Sequence, residues 1–255
     1  DFWGEAKMLL RKHFGDKLFM LPLCSPAGDQ CPVDLVRWVE PESDVNDPNL
    51  KRTNPHPRKA DPSMFDLSGM RKAGKRVANE IIEVYNEGLD APQADPELVH
   101  EVHNMQLPLR RTTFAEVAAA RRRIHDYLAE KPGNVDFNDA AALQVDLGIL
   151  RREELQEKMD ILDTESHILR LGTVAFATNP FELFLDFGNQ IKARSYAEQT
   201  FLVQLAGGSE GYLPTEKAEK GGHYSAFLAS GLVGHAGGEQ LVRETLKNIN
   251  KLFAE

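Results

Sequence analysis

The stretch Ser166–Ala206, SHILRLGTVAFATNPFELFLDFGNQIKARSYAEQTFLVQLA, decides the fold class. Its first part, Ser166–Asn179, is typical of a β-hairpin with a turn near Gly172. Pro180–Arg194 then predicts a helix with proline in its first turn, where a missing N–H costs nothing. QTFLVQLA follows as a strand. Strand, helix and strand in succession predict an α/β fold, with a mixed sheet flanked by helices.

Hydrophobic periodicity predicts further elements on both sides of this stretch. Helices are predicted over residues 1–14, 63–86, 113–129, 137–162 and 237–253. The inward face of the second of these is predicted to consist of Met70, Ala73, Val77, Ile81 and Val84. Leu18–Cys24, LFMLPLC, predicts a strand buried on both faces, and residues 97–111 predict a strand of alternating polarity. Glu40–Pro62 is polar and lacks a period, which favours a long surface loop.

Composition sets broad limits on function. The chain has 255 residues and a formal net charge of −9, which argues against a nucleic-acid partner because such partners require a basic face. Two cysteines cannot form a disulfide framework. The chain begins inside an amphipathic helix and without an initiator Met. We therefore expect residues 1–255 to be one α/β portion of a longer protein, either a fragment or a processed product.

Glu182 is a candidate site residue because it follows a predicted strand and opens a predicted helix. Open α/β sheets bind ligands at this edge, although a carboxylate in a first helical turn is also favoured by the helix dipole alone. Asp186 lies four residues further on, on the same helix face. A pair of carboxylates suited to glycoside hydrolysis is therefore an alternative interpretation.

Histidine and cysteine positions give weaker signals. His100 and His103 are three residues apart on a predicted strand, so they are expected on opposite faces and not in one metal site. Cys31 lies in a Gly/Pro loop with no base indicated by the sequence, which favours a buried, inert thiol. Asp29, in the same loop, is expected to cap the turn through its own side chain.

The segment Gly207–Ala226, GGSEGYLPTEKAEKGGHYSA, combines five of the glycines with Tyr212 and Tyr224. A tyrosine hydroxyl can donate a hydrogen bond to a developing oxyanion, and a phenolate can bind a metal that lowers its pKa. Glycines let the backbone approach a metal or a substrate closely. The alternative is a mobile loop with two surface tyrosines.

Three motifs together resemble the neutral ceramidases, zinc-dependent amidases that hydrolyse N-acylsphingosines. GDQCP, beginning at Gly28, is similar to the family's Gly-Asp-x-Ser-Pro loop, with Cys31 in place of the serine. Pro180 and Glu182 match a Pro-x-Glu motif followed by a glycine, here Gly188. Gly211-Tyr212 opens a loop whose second tyrosine comes twelve residues later, as Tyr224 does. The order of the three motifs also agrees with the C-terminal half of the family's catalytic domain.

The resemblance implies a site and a reaction. It implies Zn²⁺ as the cofactor, with Glu182 and Tyr212 as ligands and Tyr224 as the residue that stabilises the oxyanion. Asp29, Cys31 and His223 are candidates to support this set. The family's two histidine ligands lie upstream of the Gly-Asp loop, so a missing N-terminal segment is expected to complete the zinc site.

The resemblance also implies partners and a location. The substrate is expected to be a lipid amide, with membrane-surface contact made through that substrate, and the location is expected to be secreted or periplasmic. Because Cys31 replaces the loop serine and no histidine matches a ligand position, a catalytically inactive binding module with the same fold is the alternative.

Overall fold

The computed structural model describes residues 1–31, 38–39, 59–60, 66–88, 95–131 and 133–254. The chain forms two compact units, one from residues 1–22 and 31–94 and the other from residues 23–30 and 95–255. Most of the loop predicted over Glu40–Pro62 lies outside the described residues. Within those ranges, no helix is long and apolar enough to cross a membrane.

The first unit holds two helices, α1 (Phe2–Phe14) and α2 (Asp66–Gly88). It also holds a short antiparallel strand pair, β1 (Trp38–Val39) and β2 (Lys59–Ala60). β2 therefore falls inside the stretch that the sequence predicts as a long polar loop.

α1 and α2 pack on each other through a small apolar core, in which Leu10 and Ala78 are buried. At Gly74 the helices are so close that an added Cβ would lie 2.6 Å from the Cβ of Glu5. Ala78 lies one helical turn after Gly74, on the same face of α2. The predicted inward positions Ile81 and Val84 are exposed instead, so that part of the prediction is wrong.

The strand predicted over Leu18–Cys24 does not form. Phe19 is 93% exposed and Leu21 is 80% exposed, so the run is not buried on both faces. Leu18 packs against the core between α1 and α2. Pro22 offers no N–H to a sheet ladder, which disfavours strand pairing over this short run.

The second unit contains the remaining strands and helices. Its strands are β3 (Leu98–Pro108), β4 (Ile161–Leu171), β5 (Val174–Thr178), β6 (Glu182–Leu183), β7 (Gln199–Val203) and β8 (Tyr212–Leu213). Its helices are α3 (Phe114–Ala129), α4 (Phe137–Gln156), α5 (Leu185–Arg194), α6 (Glu216–Gly221) and α7 (His235–Phe253).

β3, β4, β5 and β7 form a four-stranded sheet in that order. β5 and β7 are parallel and the other neighbours are antiparallel, so the sheet is mixed. The hairpin between β4 and β5 turns at Gly172, whose φ of +58° favours glycine. α5 and α7 contribute Ile191, Leu241 and Ile249 to the core that covers one face of the sheet. The predicted α/β fold with a mixed sheet flanked by helices is confirmed.

The predicted helices of this unit form, but α4 ends earlier and α5 begins later than predicted. Thr113 and Glu116 make the capping box that the sequence predicts for α3. α4 ends at Gln156 and not at Leu162, because Leu162 belongs to β4 and pairs with Leu107 of β3. A strand this close in sequence to the helix leaves no room for a further helical turn.

α5 connects the parallel strands β5 and β7, so the stretch Ser166–Ala206 contains a β-α-β crossover. In such a unit the carboxyl ends of both strands lie at the same sheet edge, where α/β proteins place ligand sites. β6 follows β5 and β8 follows β7. The crossover therefore brings Glu182 and Tyr212 to that edge.

Candidate functional site

The two segments that leave β5 and β7 continue to run side by side. Asn179 N donates to Val203 O at 2.9 Å, and Glu182 N donates to Gly211 O at 2.9 Å. β6 and β8 then pair in parallel, with Glu182 directly opposite Tyr212. Backbone hydrogen bonds thus set the spacing of the predicted carboxylate and phenol.

The helix predicted from Pro180 begins only at Leu185, so Glu182 does not lie in a first helical turn. Phe184 N donates to a carbonyl of β8 at 3.3 Å, which keeps the backbone paired until that point. Asp29 Oδ1 accepts the Leu185 N–H at 2.8 Å. Asp186 is therefore helical while Glu182 is in a strand, and the shared helix face proposed for a carboxylate pair is wrong.

The loop around Gly28 lies directly on the backbone of β6. Gly28 N donates to Leu183 O at 2.9 Å, and a Cβ added at Gly28 would lie 2.2 Å from Glu182 O. Buried Gln204 joins the two segments, since its Oε1 accepts from Ala27 N at 3.1 Å and from Leu183 N at 3.0 Å. This loop, which carries the Gly-Asp motif, therefore supports the strand that holds Glu182.

The rings of Tyr212 and Tyr224 are in contact. Their ring centroids are 5.5 Å apart at an interplanar angle of 72°, an edge-to-face arrangement. Tyr212 is partly buried against the core, whereas Tyr224 is 64% exposed. Burial raises the pKa of the Tyr212 hydroxyl well above its ordinary value, and hydrogen bonding with Tyr224 and with Glu182 raises that pKa further. The three residues singled out from the sequence thus lie together.

Tyr224 lies on a loop whose backbone touches that of Tyr212. Gly231 pairs with Gly211 in an isolated antiparallel bridge. A Cβ added at Gly231 would come 1.9 Å from Tyr212 O, so only glycine fits at that point. Ser230 Oγ donates to Tyr224 O and closes the loop on itself. Tyr224 is therefore placed by a loop that packs on the Tyr212 backbone and has a hydrogen bond of its own.

The three supporting candidates are placed differently from one another. Asp29 caps the start of α5, and not its own turn as predicted. Cys31 is exposed and free, so the predicted burial of its thiol is wrong: the loop packs on β6 through Gly28, and Cys31 lies beyond that contact. His223 is exposed and has a φ of +88°.

His100 and His103 take opposite faces of β3, as predicted. His103 Nε2 lies 2.9 Å from Glu101 Oε2 on the helix-covered face. His100 instead contacts His167 of β4, with Nε2 and Nδ1 2.9 Å apart. Within the described ranges, no group of three or more His, Cys, Asp and Glu residues is arranged to hold a metal ion.

The donors that lie together fit part of a zinc site. A carboxylate from Glu182 and a phenol oxygen from Tyr212 are donors that Zn²⁺ accepts. They come from paired residues of two strands, so their backbone separation is fixed. A catalytic zinc ion requires about three protein ligands, so these two residues would be part of such a set and not all of it.

Sequence reasoning missed two arginines near this site. Arg152 is 5% exposed and donates to carbonyls of the loop that follows Tyr224. Arg110 Nη1 donates to Ala226 O at 2.7 Å in the same loop. Arg152 lies in the charged run RREE, which is typical of a solvated helix face. No sequence signal marks it as buried.

Comparison with known proteins relates this fold to the ceramidases. The chain is similar to the crystal structure of neutral ceramidase from Pseudomonas aeruginosa, with a TM-score of 0.55 and 14% identity over 99% of this chain. It also matches a ceramidase complexed with C2, with a TM-score of 0.45 and 11% identity over 74% of this chain.

This chain spans 40% of the length of the Pseudomonas aeruginosa enzyme and 35% of the length of the second structure. No protein-family model matches the sequence. No curated protein matches it either. The resemblance to neutral ceramidases is confirmed at the level of the fold.

Proposed function

We propose that this chain is part of a zinc-dependent amidohydrolase that cleaves the amide bond of an N-acylsphingosine or a related N-acyl lipid. The observation that carries the proposal is the pairing of Glu182 with Tyr212 across β6 and β8, with the Tyr224 ring 5.5 Å from that of Tyr212. Glu182 and Tyr212 are the ligands in this proposal. The remaining ligands come from a segment outside this chain.

The zinc ion, when bound, supplies a Lewis acid that activates water at neutral pH. Tyr224 acts on the substrate side, because its exposed hydroxyl can donate to the oxygen that becomes negative when the amide carbon turns tetrahedral. Tyr212 contributes its oxygen from a partly buried position. Its edge-to-face contact also orients the Tyr224 ring.

Elemental analysis of the full-length protein tests the cofactor. We expect bound zinc in the wild type and a loss of zinc in Glu182→Gln, because the amide is a poorer ligand than the carboxylate. Asp186→Asn is the matched control, since Asp186 lies on α5 and bonds to Gln190. Retention of zinc in Glu182→Gln would exclude Glu182 as a ligand.

Hydrolysis of an N-acylsphingosine by the full-length protein tests the reaction. Tyr224→Phe should lower kcat about 100-fold with zinc content unchanged, because one oxyanion donor is lost. Zinc loss in Tyr224→Phe would show that its role is wrong. A full-length protein without zinc or amidase activity would favour the alternative, a binding module that keeps only the fold.

A further inference from the structure

Arg152 of α4 is a buried cation whose hydrogen-bond partners are backbone carbonyls. Nη1 donates to Arg110 O at 2.7 Å and to Leu232 O at 3.1 Å. Nη2 donates to Gly231 O at 2.7 Å and to Leu228 O at 3.2 Å. Across the described part of the chain, no carboxylate forms an ion pair with this guanidinium. Burial and the nearby charge of Arg110 lower the pKa of Arg152 to about 10, so it stays charged at neutral pH.

Most of the carbonyls that Arg152 binds lie in the segment between Tyr224 and α7. Three of the four belong to residues 228–232. The same segment forms the bridge to Gly211 and contacts the Tyr212 backbone at Gly231. Arg152 therefore binds the stretch of backbone that follows Tyr224 and that contacts the backbone of Tyr212.

Gly148 lies one helical turn before Arg152, on the same face of α4. A Cβ added at Gly148 would lie 2.2 Å from Ala229 Cβ and 3.0 Å from Ala229 Cα. The helix backbone thus lies directly against the loop at this point. Gly148 permits the close approach and Arg152 supplies the hydrogen bonds.

A purely structural contact would not need this chemistry. A buried charge loses solvation, and well-packed apolar residues that replace such a charge together with its partners are often equally stable or more stable. A guanidinium has a fixed geometry of five N–H donors, which an apolar contact or a single ammonium cannot reproduce. Three loop carbonyls on one guanidinium fix the loop's position and orientation together.

We propose that Gly148 and Arg152 are positioning residues that hold the loop 226–232 so that Tyr224 stays against Tyr212. This inference rests on the proposed function of the tyrosine site. It adds that α4, which contributes no residue to that site, determines whether Tyr224 can reach the substrate.

The test uses the full-length protein with 3-fluorotyrosine incorporated at position 224 and observed by ¹⁹F NMR. The variants are Arg152→Lys, which keeps the charge but not the fork of donors, and Gly148→Ala. Arg151→Lys is the control, since Arg151 is exposed on the same helix. The double variant Gly148→Ala with Ala229→Gly removes the Cβ that the new methyl group meets.

We expect the ¹⁹F resonance to shift in Arg152→Lys and Gly148→Ala, to stay in place in Arg151→Lys, and to return toward wild type in the double variant. Amidase kcat should fall about tenfold or more in the two shifted variants, with KM and zinc content unchanged. An unchanged resonance in folded Arg152→Lys and Gly148→Ala would overturn the inference, whatever the activity.

The two hypotheses can fail separately. If the wild type shows no amidase activity, the proposed function fails, while the ¹⁹F resonances still decide whether α4 positions Tyr224. If Arg152→Lys does not fold, Gly148→Ala and its rescue by Ala229→Gly decide the question. A loss of kcat without a ¹⁹F shift would contradict positioning through Tyr224.

Discussion

The candidate site has a strand half, with Glu182 and Tyr212, and a loop half, with Tyr224, and the two are held in different ways. Glu182 and Tyr212 lie on paired strands, and backbone hydrogen bonds fix their spacing. Tyr224 is 64% exposed and lies on a loop. The side chains that bind this loop are Arg110, from the connection between β3 and α3, and Arg152 of α4. The difference shows that backbone pairing between β6 and β8 sets the spacing of the first pair, while the position of the third residue depends on side chains from other elements.

The largest expected effect tests the loop half. Arg152→Met leaves four carbonyls without their donor, so we expect the free energy of unfolding to fall by about 3 kcal/mol or more. Arg151→Met, on the exposed face of the same helix, should change it by less than about 0.5 kcal/mol. Denaturant unfolding measures both. Equal effects of the two substitutions would contradict the burial and hydrogen bonding of Arg152.

The strand half is tested at Gly28. Gly28→Ala places a Cβ 2.2 Å from Glu182 O and 2.7 Å from Glu182 C, so we expect a loss of about 1–3 kcal/mol in the free energy of unfolding. Hydrogen exchange should also speed up at the Leu183 amide. Gly221→Ala is the control, because an added Cβ there meets nothing within 4 Å. Similar losses in both variants would show that the loop does not pack on β6.

Substitution of His223 tests the backbone conformation of the loop half and is expected to change stability by a smaller amount. Its φ of +88° and ψ of 166° are unfavourable for any residue with a Cβ. His223→Gly should therefore be more stable than His223→Ala by about 1 kcal/mol, even though glycine costs more chain entropy on folding. Thermal unfolding compares the two. If alanine were as stable as glycine, the loop would not hold this conformation in solution.

The smallest effect on stability is expected at the C-terminal end of α7, the helix that follows the loop of Tyr224. Lys251 Nζ lies 3.2 Å from Glu101 Oε1, and this contact, followed by His103, holds the pKa of Glu101 below its ordinary value. A lowered carboxyl pKa stabilises the fold above the ordinary pKa of Glu, and this contribution disappears as the pH falls through the lowered value.

Glu101→Gln should therefore lower Tm slightly at pH 7 and not at pH 3, measured by calorimetry. The ¹⁹F resonance of the label at position 224 should not change, because the loop is held by α4 and not from this end. A shift of that resonance in Glu101→Gln would show that the far end of α7 also positions the loop, which would contradict the distinction between the two halves.

Much of the fold could be predicted because it depends on local pattern. The hairpin at Gly172, the capping box of α3 and the alternating strand β3 all follow from short-range signals. Leu18–Cys24 was mispredicted because an apolar run gives no information on whether a partner strand is available. The start of α5 was mispredicted because its first N–H is capped by Asp29, 156 residues earlier.

The sequence by itself determined the α/β fold, the residue types of the candidate site and their order along the chain. It did so because hydrophobic period, turn residues and motif spacing are properties of neighbouring residues. Only the tertiary structure decided that Glu182 lies opposite Tyr212 in a strand pair, that Cys31 is exposed, and that Arg152 is buried against the loop of Tyr224. Each of these depends on which distant segments meet, and contacts between distant segments leave no period in the sequence.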